Sequence, residues 1–229
     1  MNRVSLFDIP VFHHRCKNHE KVKEFTDGVW EVIEEKGIEP YTNTNNVELN
    51  IWSDYFPENV VPDLPRTPRD IQDLYIDDLR EFLEFSGYYI TEKKWSVSAH
   101  TWYNIGKRGC TQEEHDHPGF CCTWSAIHYV KFNPAEHSPT EFINPINKLF
   151  WDRMSQSENL TQPPYEWRRP EAYVDVQEGD LIIFPSWLRH KSPYQSSDSL
   201  RITMAMNFTV IPENCLSKER LKTLELKYP

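Results

Sequence analysis

Glycine is scarce in this chain, with seven residues in 229 against seventeen prolines. Turns are therefore set mainly by the fixed φ of proline rather than by the freedom of glycine. The five cysteines, Cys16, Cys110, Cys121, Cys122 and Cys215, are odd in number and show no CxxC spacing. That speaks against a disulfide framework and for a reduced, intracellular compartment. The adjacent Cys121 and Cys122 are expected as packed thiols in a strand rather than as ligands. Positive charge is not in excess: the net charge is −10 and the pI about 5.4. A general nucleic-acid binder would be basic, so nucleic acid is not an expected partner, although a local basic groove stays open. No window approaches the ~18 apolar residues of a membrane span. Residues 1–10 lack the basic region and apolar core of a secretory signal. The expectation is a cytoplasmic protein with no membrane partner. Internal repeats and low-complexity segments are also missing.

What the chain does have is large rings: aromatics make up 14% of it, with eight Trp and eleven Tyr. That composition suits short strands and an aromatic-lined cavity better than a helical bundle. The length fits one domain, 1–229. Within it, 1–90 reads as an N-terminal strand and buttressing helices, 94–211 as a strand-rich core with an insert at 134–170, and 212–229 as a tail. The first strand is expected over 6–12, with Pro10 forcing it to an edge. A helix is expected from Asn18 to Gly37, with Val22, Phe25, Val29, Val32 and Ile33 at helical spacing. Residues 47–52 alternate like a strand. A second helix is expected over 68–86, capped by Thr67, with Ile71, Leu74, Tyr75, Leu79, Phe82 and Leu83 on its buried face. Strands follow at 94–105, 120–132, 172–176, 180–184 and 201–211. Helices followed by a run of strands predict a mainly β fold with flanking helices, a sandwich or barrel. The insert, with Trp151, Tyr165 and Trp167, has the character of a lid or substrate loop. The apolar leucines of the tail would suit a short helix that supports a homodimer.

The chemistry-bearing residues lie in three places. His115-Asp116-His117-Pro118 offers two imidazoles two residues apart, which point the same way in an extended segment, while Asp116 points away. His190 follows a turn at Glu178-Gly179-Asp180, a buried strand and a proline stop, which predicts a histidine facing a cavity. Arg201, Thr203, Ala205 and Asn207 share one face of the last strand, with Ile202, Met204, Met206 and Phe208 on the other. An arginine on an inward face would be costly without an anion, and its planar fork suits a carboxylate. Each piece alone has an ordinary alternative: a solvated loop, a surface histidine, an exposed polar face. Together they supply what a mononuclear iron site with a dicarboxylic co-substrate needs, namely ligands on one side and open positions on the other.

His115-Asp116-His117-Pro118, Tyr129-Val130, the run from Gly179 to His190, and Arg201-Ile202-Thr203 resemble the Fe(II)/2-oxoglutarate-dependent oxygenases. More narrowly they are similar to a bacterial and phage branch, which also shows a Leu-Phe-x-x-Pro opening and a Trp-x-Asn, here Leu6 to Pro10 and Trp102-Tyr103-Asn104. The resemblance covers about residues 4–211. It implies a double-stranded β-helix (a jelly roll, cupin-like) with helices on its major sheet. It also implies Fe(II), 2-oxoglutarate and O2 as cofactor and co-substrates, and hydroxylation of a C–H bond with release of succinate and CO2. His115 and His190 match the metal histidines. Arg201, with Thr203, matches the residue that grips the far carboxylate of 2-oxoglutarate; Asn104 and Tyr129 would line the same pocket. Most of the superfamily has an acidic residue two after the first histidine, and this chain has His117. A three-histidine set, His115, His117 and His190, is therefore expected, with Asp116 as the alternative third ligand. A neutral third ligand leaves the iron one unit more positive, unless Glu113, Glu114 or Asp116 compensates. In another register His117 comes first and Gly119 stands at the acidic position. Trp124, Trp187 and the insert would shape the cavity for a small-molecule or amino-acid or peptide substrate. The competing functions are a three-histidine cupin-type dioxygenase without 2-oxoglutarate, against which the Arg201-x-Thr203 pair speaks, and a degenerate jelly-roll binding module.

Overall fold

The computed structural model describes residues 9–42, 49–86, 95–117, 122–145 and 170–212. The elements run β1 (Phe12–Arg15), α1 (His19–Lys36), β2 (Ile51–Ser53), α2 (Arg69–Asp73), α3 (Ile76–Phe85), β3 (Trp95–Gly106), β4 (Gln112–His115), β5 (Trp124–Lys131), β6 (Glu141–Ile143), β7 (Glu171–Tyr173), β8 (Asp180–Pro185), β9 (His190–Ser192) and β10 (Arg201–Pro212). They form two antiparallel sheets. The larger has the order β1-β8-β5-β10-β3-β2 and the smaller β4-β9-β6-β7. This is the expected strand-rich architecture with flanking helices.

The alternation of β10 organises the large sheet. Ile202, Met204, Met206 and Phe208 are buried on one face and pack with Val22, Val29, Ile33, Leu79, Phe82 and Leu83 of the helices. These are apolar residues at helical spacing meeting apolar residues at strand spacing, the pairing that removes most surface from water. The other face looks toward the small sheet, where Tyr129, Phe132, Phe142, Ile182, Phe184 and Leu188 form a second buried cluster.

α1 ends as expected at Gly37, whose φ of 60° is the left-handed conformation that closes a helix. Asn18 stands at its start, but its amide donates to the Leu74 carbonyl at 2.7 Å instead of capping. The helix expected over 68–86 is two helices, α2 and α3, broken at Leu74 and Tyr75. The break follows from a buried polar demand. The Tyr75 hydroxyl lies 2.8 Å from Nδ1 of the fully buried His128, and Asn18 takes the Leu74 carbonyl from the helix ladder. Thr67 does not cap α2; Pro68 holds that position. β1 begins at Phe12, later than expected, but it is an edge strand as Pro10 required. The expected strand at 47–52 is β2, beginning at Ile51; residues 43–48 lie outside the described part. So do Cys121, Pro118, Gly119, the insert from 146 to 169, and the tail beyond 212.

Candidate metal centre

The small sheet sets two histidines against each other. His115 ends β4 and pairs directly with His190 at the start of β9, with ring centroids 4.4 Å apart. His117 lies two residues past β4, where its N–H donates to the Ser186 carbonyl at 2.9 Å. That bond ties it to the turn after β8, the same turn that delivers His190. Its ring centroid is 5.0 Å from that of His115 and 5.3 Å from that of His190. One nitrogen from each ring lies within 4.8 Å of the others. It is His117 rather than Asp116 that stands with the other two. The flanking acids do not join the group, and Glu114 instead pairs with Arg189 at 2.9 Å.

The hydrogen bonds fix which nitrogens are available. His115 Nδ1 lies 2.8 Å from the Glu113 carbonyl, and His190 Nδ1 lies 2.9 Å from the Leu188 carbonyl. A carbonyl only accepts, so both rings carry the proton on Nδ1 and present the lone pair on Nε2, which on His115 meets only a long contact from the Gln112 amide at 3.5 Å. Burial, reinforced by the neighbouring imidazoles, pulls His190 down to about 3 and His117 down to about 4. Both are neutral near pH 7, the state in which imidazole binds a metal.

The large sheet supplies the cationic half of the site. Asn104, Thr203 and Tyr129 lie side by side on β3, β10 and β5, because Thr203 pairs with both of the others. The next inward rows are Trp102, Ala205 and Ile127, then His100, Asn207 and Ser125. Arg201 opens β10 opposite Gly106. It is buried at 6% exposure, with its guanidinium 5.8 Å from the Tyr129 ring centre and 6.0 Å from that of Phe132. Among the described residues no carboxylate offsets this burial, which lowers its pKa from the ordinary arginine value, and its Nε has no hydrogen-bond partner. Guanidinium stays charged even so. A desolvated and unpaired cation is stable only if an anion comes to it.

Both halves line one cavity of about 650 Å³, its open mouth included, with Asn104, His115, His117, His190, Arg201 and Thr203 in its wall. The predicted residues are thus brought together. Tyr129 stands just behind the wall, where its ring faces Arg201 and its hydroxyl accepts the Thr140 N–H at 3.1 Å. The expectation for Trp124 is corrected. It packs edge-on against Phe12 and Phe82 on the helix side of the sheet, because it shares the pleat of Phe208. Trp187 is 54% exposed, next to the Ser186 that holds His117. Sequence reasoning missed Gln112, Ser125 and Thr140 in the cavity wall. Ser125 could have been found, since it sits two residues before Ile127 on an alternating strand; Gln112 and Thr140 carry no such signal.

Two facing antiparallel sheets, with three imidazoles on one side and a buried arginine on the other, make a jelly-roll fold with a candidate metal site between its layers. Residues 100–207, which hold every one of these side chains, match the family model described as "Putative 2OG-Fe(II) oxygenase". That match makes the strand-rich half of the chain similar to the 2OG-Fe(II) oxygenases. No curated protein matches it in sequence. Among solved structures it is similar to a prolyl-4-hydroxylase of Pseudomonas putida, at 12% identity over 87% of this chain and 92% of that one, with a TM-score of 0.52. It is also similar to the α-ketoglutarate-dependent carbocyclase SnoK of nogalamycin biosynthesis, at 14% identity over 94% and 86%, with a TM-score of 0.55. A third is a prolyl hydroxylase of Trichoplax adhaerens in complex with a hypoxia-inducible-factor peptide, at 10% identity over 93% and 86%, with a TM-score of 0.50. At these identities the likeness speaks for the fold.

Proposed function

We propose that the protein is an Fe(II)- and 2-oxoglutarate-dependent dioxygenase that hydroxylates a C–H bond of a small-molecule, amino-acid or peptide substrate. The observation that carries this reading is Arg201, buried with no counter-charge among the described residues, in the wall that also holds three converging imidazoles. The donor set fits a divalent first-row metal, since imidazole suits iron and three ligands leave positions open. His115, His117 and His190 would hold the ion. Arg201 would take the far carboxylate of 2-oxoglutarate in a bidentate grip, with the Thr203 hydroxyl and Asn104 beside it. When bound, iron, 2-oxoglutarate and O2 together supply an oxidant able to take hydrogen from a C–H bond, with release of succinate and CO2. The chain itself orients these groups and shields them from water. Tyr129 and Phe132 give Arg201 an aromatic wall that excludes water and strengthens its grip.

A three-histidine cupin-type dioxygenase would have no use for a buried, unpaired arginine beside the metal. The deciding measurement is conversion of 2-oxoglutarate to succinate with Fe(II) and O2, in wild type, His190→Ala and Arg201→Ala. The expected result is slow uncoupled turnover that both substitutions abolish. Iron-loaded protein that gives no succinate, and no visible charge-transfer band with 2-oxoglutarate under anaerobic conditions, would sink the reading.

A further inference from the structure

His117 is held differently from its two companions. His115 and His190 each turn Nδ1 to a backbone carbonyl two residues back. His117 Nδ1 meets a side chain, the amide nitrogen of Asn207, at 3.1 Å. The Asn207 Oδ1 in turn accepts from the Ser125 hydroxyl at 2.8 Å. In this arrangement Nδ1 of His117 accepts, so the proton sits on Nε2, and the nitrogen left for a metal has no lone pair.

The amide has a second orientation that fits the same atom positions, because its oxygen and nitrogen are nearly the same size. Turned through 180°, Asn207 Oδ1 accepts from His117 Nδ1–H and Nδ2 donates to Ser125 Oγ. The hydroxyl is then free to donate to Cys122 Sγ, 3.8 Å away. Asn207, Ser125 Oγ and His117 Nδ1 keep partners in both arrangements, so neither carries the cost of orphaning one of them. Only the turned one leaves His117 Nε2 ready to bind.

We propose that Asn207 is the positioning residue of His117: its amide turns when metal binds and fixes the tautomer in which the third histidine is a ligand. This rests on the three-histidine reading above. A backbone carbonyl cannot turn, so His115 and His190 are preset and His117 is the ligand that adapts. An accepting oxygen behind a metal-bound imidazole also makes the ring a better donor, and losing such a partner typically weakens metal binding ~10–100-fold.

The test uses zinc as a diamagnetic probe on the full chain with its histidines ¹⁵N-labelled. Long-range ¹H–¹⁵N spectra should show His117 with its proton on Nε2 in the metal-free protein and on Nδ1 with Zn(II). By calorimetric titration, Asn207→Leu should bind Zn(II) ~10–100-fold more weakly. Asn207→Asp accepts in either orientation and should bind at least as tightly as wild type. His117→Ala separates the two levels. If it binds Zn(II) as tightly as wild type, the three-histidine reading fails and the role of Asn207 falls with it. If His117→Ala loses zinc while Asn207→Leu, folded by circular dichroism, keeps it, the role of Asn207 alone is overturned. An unchanged His117 tautomer between the two states also overturns it.

Discussion

Arg201 is asked to do two opposed things. It is buried at a cost to the fold, and in the proposed function a ligand would pair it. Arg201→Met keeps the side-chain volume and removes the unpaired charge, so the metal-free protein should become more stable by about 1–3 kcal/mol while succinate formation is lost. Paired urea melts and turnover assays check both signs, and a destabilised Met variant would mean that the charge already has a partner. The histidines lead to a second expectation. Three neutral ligands would leave a bound ion its full positive charge, so in the proposed function the dianionic co-substrate and the metal should each tighten the other's binding. By linkage the effect is reciprocal, and a factor of roughly 5–150 is typical; Fe(II) titration with and without 2-oxoglutarate measures it. At this scale the sequence was highly legible. His190, at the end of the Gly179 to His190 run, and the Arg201-x-Thr203 pair stand in one cavity wall, although it was the resemblance, and not local order alone, that suggested their roles. The choice of His117 over Asp116 follows from alternation, which aims neighbouring side chains apart. The link from Asn207 to His117 was not legible. It joins residues 90 apart in sequence, and neither shows by its type that it will need the other.

Among the elements, β8 shows how a turn aims a ligand. Gly179 has a φ of 92°, and a Cβ there would meet the Arg15 guanidinium at 2.7 Å. Gly179→Ala should cost about 1–3 kcal/mol through backbone strain, read as a lower denaturation midpoint, because the turn is pinned from both sides. Its N–H goes to the Tyr129 carbonyl at 2.8 Å, and its carbonyl accepts from Cys16 at 2.9 Å. The long strands and α1 could be read from periodicity, since their burial is one-sided. The strands β4, β6 and β9 could not. They are three or four residues long and half-exposed, and Gln112-Glu113-Glu114-His115 has no apolar face to announce it. Two of these unreadable strands carry His115 and His190. The division of the expected second helix was hidden for another reason. Tyr75 fits the apolar stripe of a continuous helix, and only the position of His128 across the core shows that its hydroxyl is needed elsewhere.

In the whole molecule, three histidines share one pH dependence. Burial holds His128 and His190 down at about 3 and His117 at about 4. Unfolded, each takes a proton near the ordinary value of ~6.5. Above that pH their contribution to stability is complete, and it is lost as pH falls from ~6.5 toward 4 and 3, at up to ~1.4 kcal/mol per pH unit for each group. Urea midpoints at pH 7 and pH 5 should therefore differ strongly in the metal-free protein, and less in His190→Gln. A pH-independent midpoint would contradict the burial of these rings. The residues facing the cavity come from both layers, with His115 and His190 on the small sheet and Arg201, Thr203 and Asn207 on the large one. Metal with 2-oxoglutarate at ~100 times its dissociation constant should add ~2.7 kcal/mol, a rise in Tm of roughly 5–10 °C for a chain of this size, and none of that 2-oxoglutarate increment in Arg201→Ala. A ligand that grips one layer through the imidazoles and the other through the guanidinium is also a rivet between them. Without it, β4 is a short, charged edge strand held by β9, which pairs on its other side with the equally short β6, and the amides of β4 and β9 should exchange with solvent well before those of β10. Loading the site should slow that exchange most in the layer that contributes least to the core, so the chemistry would close the cavity in which it takes place.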